Sequence, residues 1–109
     1  MDLTIKANGI SMHDAFRMAA NVAVNGGGNR EKLRDVGSGM TNVVVTTLGF
    51  DTIIQCYPNR EHDSVCILIP TDEGTEAVEL KQLPLILQME VFKCYCKELE
   101  VDGEISNDF

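Results

Sequence analysis

The segment NGGGNREKLRDVGSG, residues 25–39, contains the residue types that could bind an anion. Glycines allow backbone amides to converge on one oxygen, and arginine adds forked donors that match two oxygens of a phosphate. The candidate ligand-binding groups are the amides of Gly26, Gly27 and Gly28 and the side chains of Arg30, Lys32 and Arg34. Neither a GxxxxGK run followed by Ser or Thr nor a GxGxxG pattern is present, so the alternative is a surface loop with solvated or paired cations.

A second segment, YPNREHD at residues 57–63, combines a cation, an imidazole and an aromatic ring. We expect Arg60 to meet a phosphate together with the first segment, and His62 to lie at the same ligand. Tyr57, or Phe50 in the preceding turn, carries a ring on which a base could stack. The alternative is a plain hairpin turn between two strands.

The four cysteines, Cys56, Cys66, Cys94 and Cys96, bear on two further kinds of chemistry. Each lies among apolar neighbours, and no secretion signal is recognised, so we expect free thiols that act as small hydrophobic residues. A zinc site with His62 is disfavoured, because the paired Cys-x-x-Cys spacing is missing. A nucleophilic Cys66–His62 pair is disfavoured, because no residue orients the imidazole. We therefore predict no catalytic residue, no metal and no cofactor.

Three β-rich runs must position these segments. Val43–Leu48, Thr52–Tyr57 and Ser64–Ile69 are rich in Val, Ile and Thr, and polar or flexible residues separate them. This pattern is typical of an antiparallel meander. The alternation in Leu3–Lys6 predicts a further short strand at an edge of the same sheet.

Helices are predicted on either side of the meander. Apolar residues at three- and four-residue spacing predict a helix that begins near Met12 and places His13 on the surface. An acidic capping run predicts a short helix at Thr75–Gln82. A longer helix is expected from Pro84 to Glu100, although its apolar residues also alternate as they would in a strand. Its excess apolar surface indicates a subunit interface.

These elements predict an α+β fold, with a single antiparallel sheet of about four strands and two or three helices packed on one face. The length of 109 residues suits one domain and one core, with residues 102–109 as a flexible tail. No apolar run approaches the roughly 20 residues that span a bilayer, and the N-terminal residues do not resemble a signal peptide. The expected location is the cytoplasm.

Charge disfavours one class of partner and permits another. The net charge is −8, and residues 41–109 hold four cations and thirteen acids. Such a surface repels nucleic-acid backbones, so we expect no direct nucleic-acid binding. The acids at Asp72, Glu73, Glu76 and Glu79 are typical of a solvated helix start, and mimicry of a phosphate backbone towards a basic protein groove is the alternative.

The layout LTIKANGISMHDAFRMAANVAVNGGGNR, followed by TNVVVTTLGFD and YPNREHDSV, resembles the phage anti-Thoeris sponge family over about residues 1–75. That resemblance implies a phage anti-defence protein whose homo-oligomer sequesters cyclic ADP-ribose-type signals between subunits. The run HDAFRMAANVAV is also similar to part of a DNA-mimicking phage anti-restriction protein, but that family is helical and far more acidic.

We therefore predict a non-enzymatic, homo-oligomeric protein that binds a small phosphate-containing nucleotide signal and blocks immune signalling in the host cytoplasm. The alternative is an acidic inhibitor of the anti-CRISPR or anti-restriction type that docks on a basic groove of a host protein. An enzyme that uses Cys66 or His62 is the least favoured hypothesis. The sequence leaves open whether residues 25–39 and 57–63 converge.

Overall fold

The described part of the chain forms a five-stranded antiparallel sheet, a two-stranded parallel sheet and two α-helices. The structure is a computed structural model, and it describes residues 2–6, 12–35, 39–45, 52–59 and 64–106. The strands are β1 (Asp2–Lys6), β2 (Leu33–Asp35), β3 (Met40–Val45), β4 (Thr52–Asn59), β5 (Ser64–Thr71), β6 (Gly74–Glu79) and β7 (Asp102–Ser106). The helices are α1 (Met12–Asn25) and α2 (Leu85–Glu98), and short 3-10 turns lie at Arg30–Lys32 and Leu80–Gln82.

The five-stranded sheet has the order β2-β3-β4-β5-β6, and every neighbouring pair is antiparallel. Strands β4 and β5 begin where two of the β-rich runs were predicted to begin, and each extends two residues further. Strand β3 begins three residues before its run and overlaps it at residues 43–45, while residues 46–48 lie outside the described ranges. The antiparallel meander is confirmed. One register row crosses all five strands and points towards the helices; its members are Leu33, Thr41, Cys56, Ile67 and Val78. The α+β prediction is confirmed, with five strands in the sheet instead of about four.

Both helices pack on this one face and complete the core. On α1 the buried residues recur at three- and four-residue spacing, at Ala15, Phe16, Ala19 and Ala23. The small alanines allow the helix backbone to approach the sheet closely, and Phe16 fills the space beside α2. Its ring centroid lies 5.2 Å from that of Phe92 and 4.8 Å from that of Tyr95. The predicted start near Met12 is confirmed.

Residues 85–98 are helical, so the alternative of a strand at this position is wrong. Pro84 is the N-cap, where its fixed φ and missing amide proton cost the helix nothing. Leu85 and Ile86 remain 51% and 77% exposed at the first turn. The subunit interface proposed for this helix stays a prediction.

The helix predicted at Thr75–Gln82 is wrong, because residues 74–79 form strand β6 and only Leu80–Gln82 make a 3-10 turn. The hydroxyl of Thr71 donates to the carbonyl oxygen of Gly74 at 2.7 Å, and Gly74 has a φ of 127°. A tight two-residue turn results, and β6 then pairs with β5 without a register shift. Pairing with a neighbouring strand therefore overrides the local capping signal.

The chain ends were also predicted incorrectly. Strand β1 does not join the edge of the meander; it pairs in parallel with β7, from Asp2 with Asp102 to Lys6 with Ser106. Residues 102–106, expected in a flexible tail, therefore form a strand. The φ of 54° at Glu100 reverses the chain after α2 and leads it into this pairing. Within the described ranges, no helix is long and apolar enough to cross a membrane.

Candidate ligand-binding face

The five-stranded sheet has a second face, directed away from α1 and α2. Side chains alternate between the two faces of a strand, so this face carries the residues between the core-facing positions. We call it the open face. Its described members that are exposed or half-buried are Arg34, Asp35, Met40, Asn42, Val44, Ile53, Gln55, Tyr57, Cys66, Leu68, Pro70, Thr75, Ala77 and Glu79.

The open face has few charges for a chain whose net charge is −8. Of its described members only Arg34, Asp35 and Glu79 carry a charged side chain at neutral pH. Val44 and Ile53 are register partners, and their side chains are 42% and 61% exposed. An antiparallel sheet usually carries polar residues on its solvent face, and depletion of charge is characteristic of the centre of a binding surface. The composition therefore resembles the centre of a binding surface more closely than a solvated sheet face.

A depression of about 360 Å³ lies in the middle of this face. Its lining residues are Asn42, Ile53, Gln55, Leu68, Pro70 and Thr75. Asn42 and Gln55 are register partners on β3 and β4, and Gln55 pairs in turn with Leu68 on β5. Two side-chain amides thus stand beside apolar groups. Such a combination can pair with the donor–acceptor edge of a flat heterocycle while the apolar groups contact its ring.

Tyr57 and Cys66 form the next register pair towards the end of β4. Burial raises the pKa of Tyr57 above its ordinary value, and a side-chain hydrogen bond with Cys66 raises it further. The phenol is therefore neutral at physiological pH. Arg34 lies on the same face two strands away, which corresponds to about 10 Å between the backbones. The structure thus places two of the predicted ligand-binding residues, Arg34 and Tyr57, on one surface.

The glycine-rich segment has a structural role at the end of α1. The amides of Gly26 and Gly28 donate to the carbonyl oxygen of Val22 at 2.7 Å and 3.4 Å, and Gly27 has a φ of 98°. These features close a helix C-terminus. A Cβ atom on Gly28 would lie 2.8 Å from the carbonyl oxygen of Leu99. Two of the three amides predicted to converge on an anion are therefore bonded within the chain.

The three cations of that segment are exposed and lie at the β2 edge of the sheet. Arg30 and Lys32 occupy the 3-10 turn, and the hydroxyl of Thr41 donates to the carbonyl oxygen of Lys32 at 2.6 Å. Arg34 follows on β2, where it alternates with the buried Leu33. The segment therefore presents cations beside the open face, and Arg34 directly on it.

The two predicted segments approach each other at one point. A Cβ atom on Gly39 would lie 3.3 Å from Cδ of Pro58, so the end of the glycine-rich segment is next to the end of β4. The hydroxyl of Tyr95 donates to the carbonyl oxygen of Gly39 from the core side. The remaining predicted residues, Phe50, Arg60 and His62, lie outside the described residues.

The four cysteines are free thiols, as predicted. Cys56 and Cys96 are buried, and burial raises the pKa of both thiols, that of Cys96 to about 12. They are neutral and act as small hydrophobic residues. Within the described part of the chain, no group of three or more His, Cys, Asp or Glu side chains is placed to hold a metal.

His13 was expected on the surface, and that prediction is wrong, since it is only 5% exposed. It lies three residues before Phe16 and seven before Ala20, both of which are buried. These spacings place the three side chains on one helix face. The charged neighbour Asp14 favoured a surface position for His13, whereas the helical period places residue 13 on the side that faces the core.

The residues that line the depression were missed by the sequence analysis, which treated β3 and β4 as core. A signal was present: polar Asn42 and Gln55 alternate with buried Val43, Ile54 and Cys56, as they do in a strand with one face uncovered. No protein-family model, curated protein or solved structure matches the chain.

Proposed function

We propose that the chain is a non-enzymatic binding protein that holds a nucleotide-type ligand on the open face. The observation that supports this most directly is the depression in which the amides of Asn42 and Gln55 stand beside Ile53 and Leu68. The amides pair with a base edge, and the two apolar side chains contact the ring. Arg34, the one cation among the described open-face residues, meets a phosphate attached to that base.

The resemblance to phage anti-defence proteins supplies the ligand class and the biological setting. In this proposal the ligand is a cyclic ADP-ribose-like or cyclic nucleotide signal, and a homo-oligomer removes it from solution in the host cytoplasm. Sequestration needs affinity and slow release, and it requires no acid, base or nucleophile at the ligand. An uncharged depression beside a single arginine meets that requirement.

Isothermal titration calorimetry against cyclic nucleotides, cyclic ADP-ribose isomers and ADP-ribose tests the proposal. We expect one class to bind, and we expect Asn42→Ala and Gln55→Ala each to weaken its binding about tenfold, since a bidentate amide–base pair contributes roughly 1–3 kcal/mol. Arg34→Ala should weaken it as well. Lys93→Ala, at an exposed position on α2, is the control. Absence of binding across the panel, or unchanged affinity in the amide variants, would refute the proposal.

A second candidate function is an acidic inhibitor that docks on a basic groove of another protein. The observation that favours it is the exposure of Asp72, Glu73 and Glu76 along the β5–β6 hairpin. This function predicts a complex with a basic protein that weakens as salt is added, and no binding of small nucleotides. Pull-down at two salt concentrations, followed by the same calorimetric panel, separates the two candidates.

A further inference from the structure

Strand β6 ends the five-stranded sheet, and its outer edge is regular and exposed. It pairs with β5 over six consecutive register pairs, and residues 74–77 are exposed. Within the described ranges, no strand pairs with its other side. The opposite edge strand, β2, has three residues and an irregular register. Proteins usually protect such edges with charged side chains, above all lysine, with proline or with bulges, and of these β6 contains only its two glutamates.

The hairpin geometry identifies the backbone groups that face outward. A two-residue turn at Asp72 and Glu73 makes Thr71 and Gly74 a hydrogen-bonded pair, so bonding to β5 recurs at every second residue of β6. The amides and carbonyls of Thr75, Ala77 and Glu79 then point away from β5. The amide of Glu79 donates to Oε1 of Gln82 at 3.1 Å, which agrees with this alternation. Thr75 and Ala77 therefore present the outward donors and acceptors.

Charge selects what can pair with this edge. Residues 72–79 carry four acids and no cation, with Glu76 and Glu79 on opposite faces of the strand. Nζ of Lys81 lies 3.6 Å from Oε2 of Glu79, whereas Glu76 forms no ion pair with a cation in the described part of the chain. If a second copy of the chain paired its own β6 antiparallel to this edge through Thr75 and Ala77, the two Glu76 side chains would lie opposite each other. Like charges directly opposite destabilise a strand pair.

We propose that the edge of β6 binds an extended basic segment of another protein by strand addition. The backbone of that segment pairs with Thr75 and Ala77, and its alternate cations, which share one face of the added strand, meet Glu76. Gln82 caps the amide of Glu79 and so limits the pairing at that end. This surface is separate from the depression on the open face, and the proposal does not depend on a nucleotide ligand.

Fluorescence polarisation with labelled eight-residue peptides tests the proposal on the full chain. The probe alternates Lys and Val, its acidic counterpart alternates Glu and Val, and a third peptide repeats the Lys probe with an N-methyl group on every amide, so that neither of its edges can donate. We expect the Lys probe to bind at low salt and to weaken as salt is raised. We expect the acidic peptide not to bind, and the N-methylated peptide to bind at least tenfold more weakly, because it cannot donate to the strand edge.

Two variants locate the binding on β6. Ala77→Pro removes an amide that points away from β5, so it should abolish binding while the strand remains paired, and Ala77→Thr is its matched control. Glu76→Gln should weaken the Lys probe about two- to fivefold. Asn42→Ala should leave peptide binding unchanged, which separates this test from that of the nucleotide site. Equal binding of the N-methylated and unmodified Lys peptides, or no binding of either, would overturn the proposal even if Ala77→Pro unfolds.

Discussion

Gly28→Ala distinguishes the two interpretations of the glycine-rich segment. An added Cβ would lie 2.7 Å from the Cα of Ala23 and 2.8 Å from the carbonyl oxygen of Leu99, and both atoms belong to the backbone. Contacts below 3.0 Å force the end of α1 and the chain after α2 apart. Inserting a methyl group into such a packed position costs about 1–3 kcal/mol. For a chain of this size, a loss of about 2 kcal/mol lowers the melting temperature by roughly 10 °C.

Urea denaturation followed by circular dichroism measures this loss, and calorimetry with the identified ligand measures the binding of the same variant. The third nearby atom is Cγ2 of Val101 at 3.0 Å, a side-chain atom that Val101→Ala removes. Because the two closest contacts involve the backbone, the double mutant should show a coupling energy below about 0.5 kcal/mol. Rescue of Gly28→Ala by Val101→Ala would refute this reasoning. Normal stability combined with lost ligand binding would restore the anion-binding interpretation.

Two further predictions concern the buried polar groups of α2. Tyr95→Phe removes the hydroxyl that donates to the carbonyl oxygen of Gly39. It should therefore lower the free energy of unfolding, measured by urea titration, by about 1–3 kcal/mol. An unchanged urea midpoint would contradict the hydrogen bond. Burial raises the pKa of the Cys96 thiol to about 12 from 9.0, so between these values only the unfolded chain loses the proton. The free energy of unfolding should therefore not depend on this thiol below pH 9. As pH rises from 9 towards 12 it should fall by at most about 1.4 kcal/mol per pH unit. The fall should be smaller in Cys96→Ala.

Elements that depend on local pattern were predictable. The β-branched runs at residues 43–48, 52–57 and 64–69 indicated three strands, because alternating side chains of this kind fit a half-buried sheet. The spacing of alanines and Phe16 indicated α1, and Pro84 marked the beginning of α2. In each case the sequence period and the terminating residues point to the same element.

Elements that depend on distant partners were not predictable. Strand β7 has polar and acidic residues with little strand propensity, and its partner β1 lies about one hundred residues earlier. Strand β6 has acids that also suit the first turn of a helix, and only its pairing with β5 decides between the two. In both cases the strand is stabilised by hydrogen bonds and side-chain contacts with a partner strand, and a short stretch of sequence does not contain that partner.

The candidate site illustrates the same limit in chemical terms. Glycines in succession fit both an anion cradle and a close backbone contact, and the contact at Gly28 is with Leu99, seventy-one residues away. The sequence therefore predicted ligand binding by the cations of residues 25–39, and of these cations Arg34 alone lies on the open face. The alternation of Asn42 and Gln55 with buried residues indicated an uncovered strand face, and the register then placed Asn42 beside Gln55 and Val44 beside Ile53. Because that surface is nearly uncharged and the β6 edge is acidic, added salt should weaken binding at the edge far more than binding in the depression.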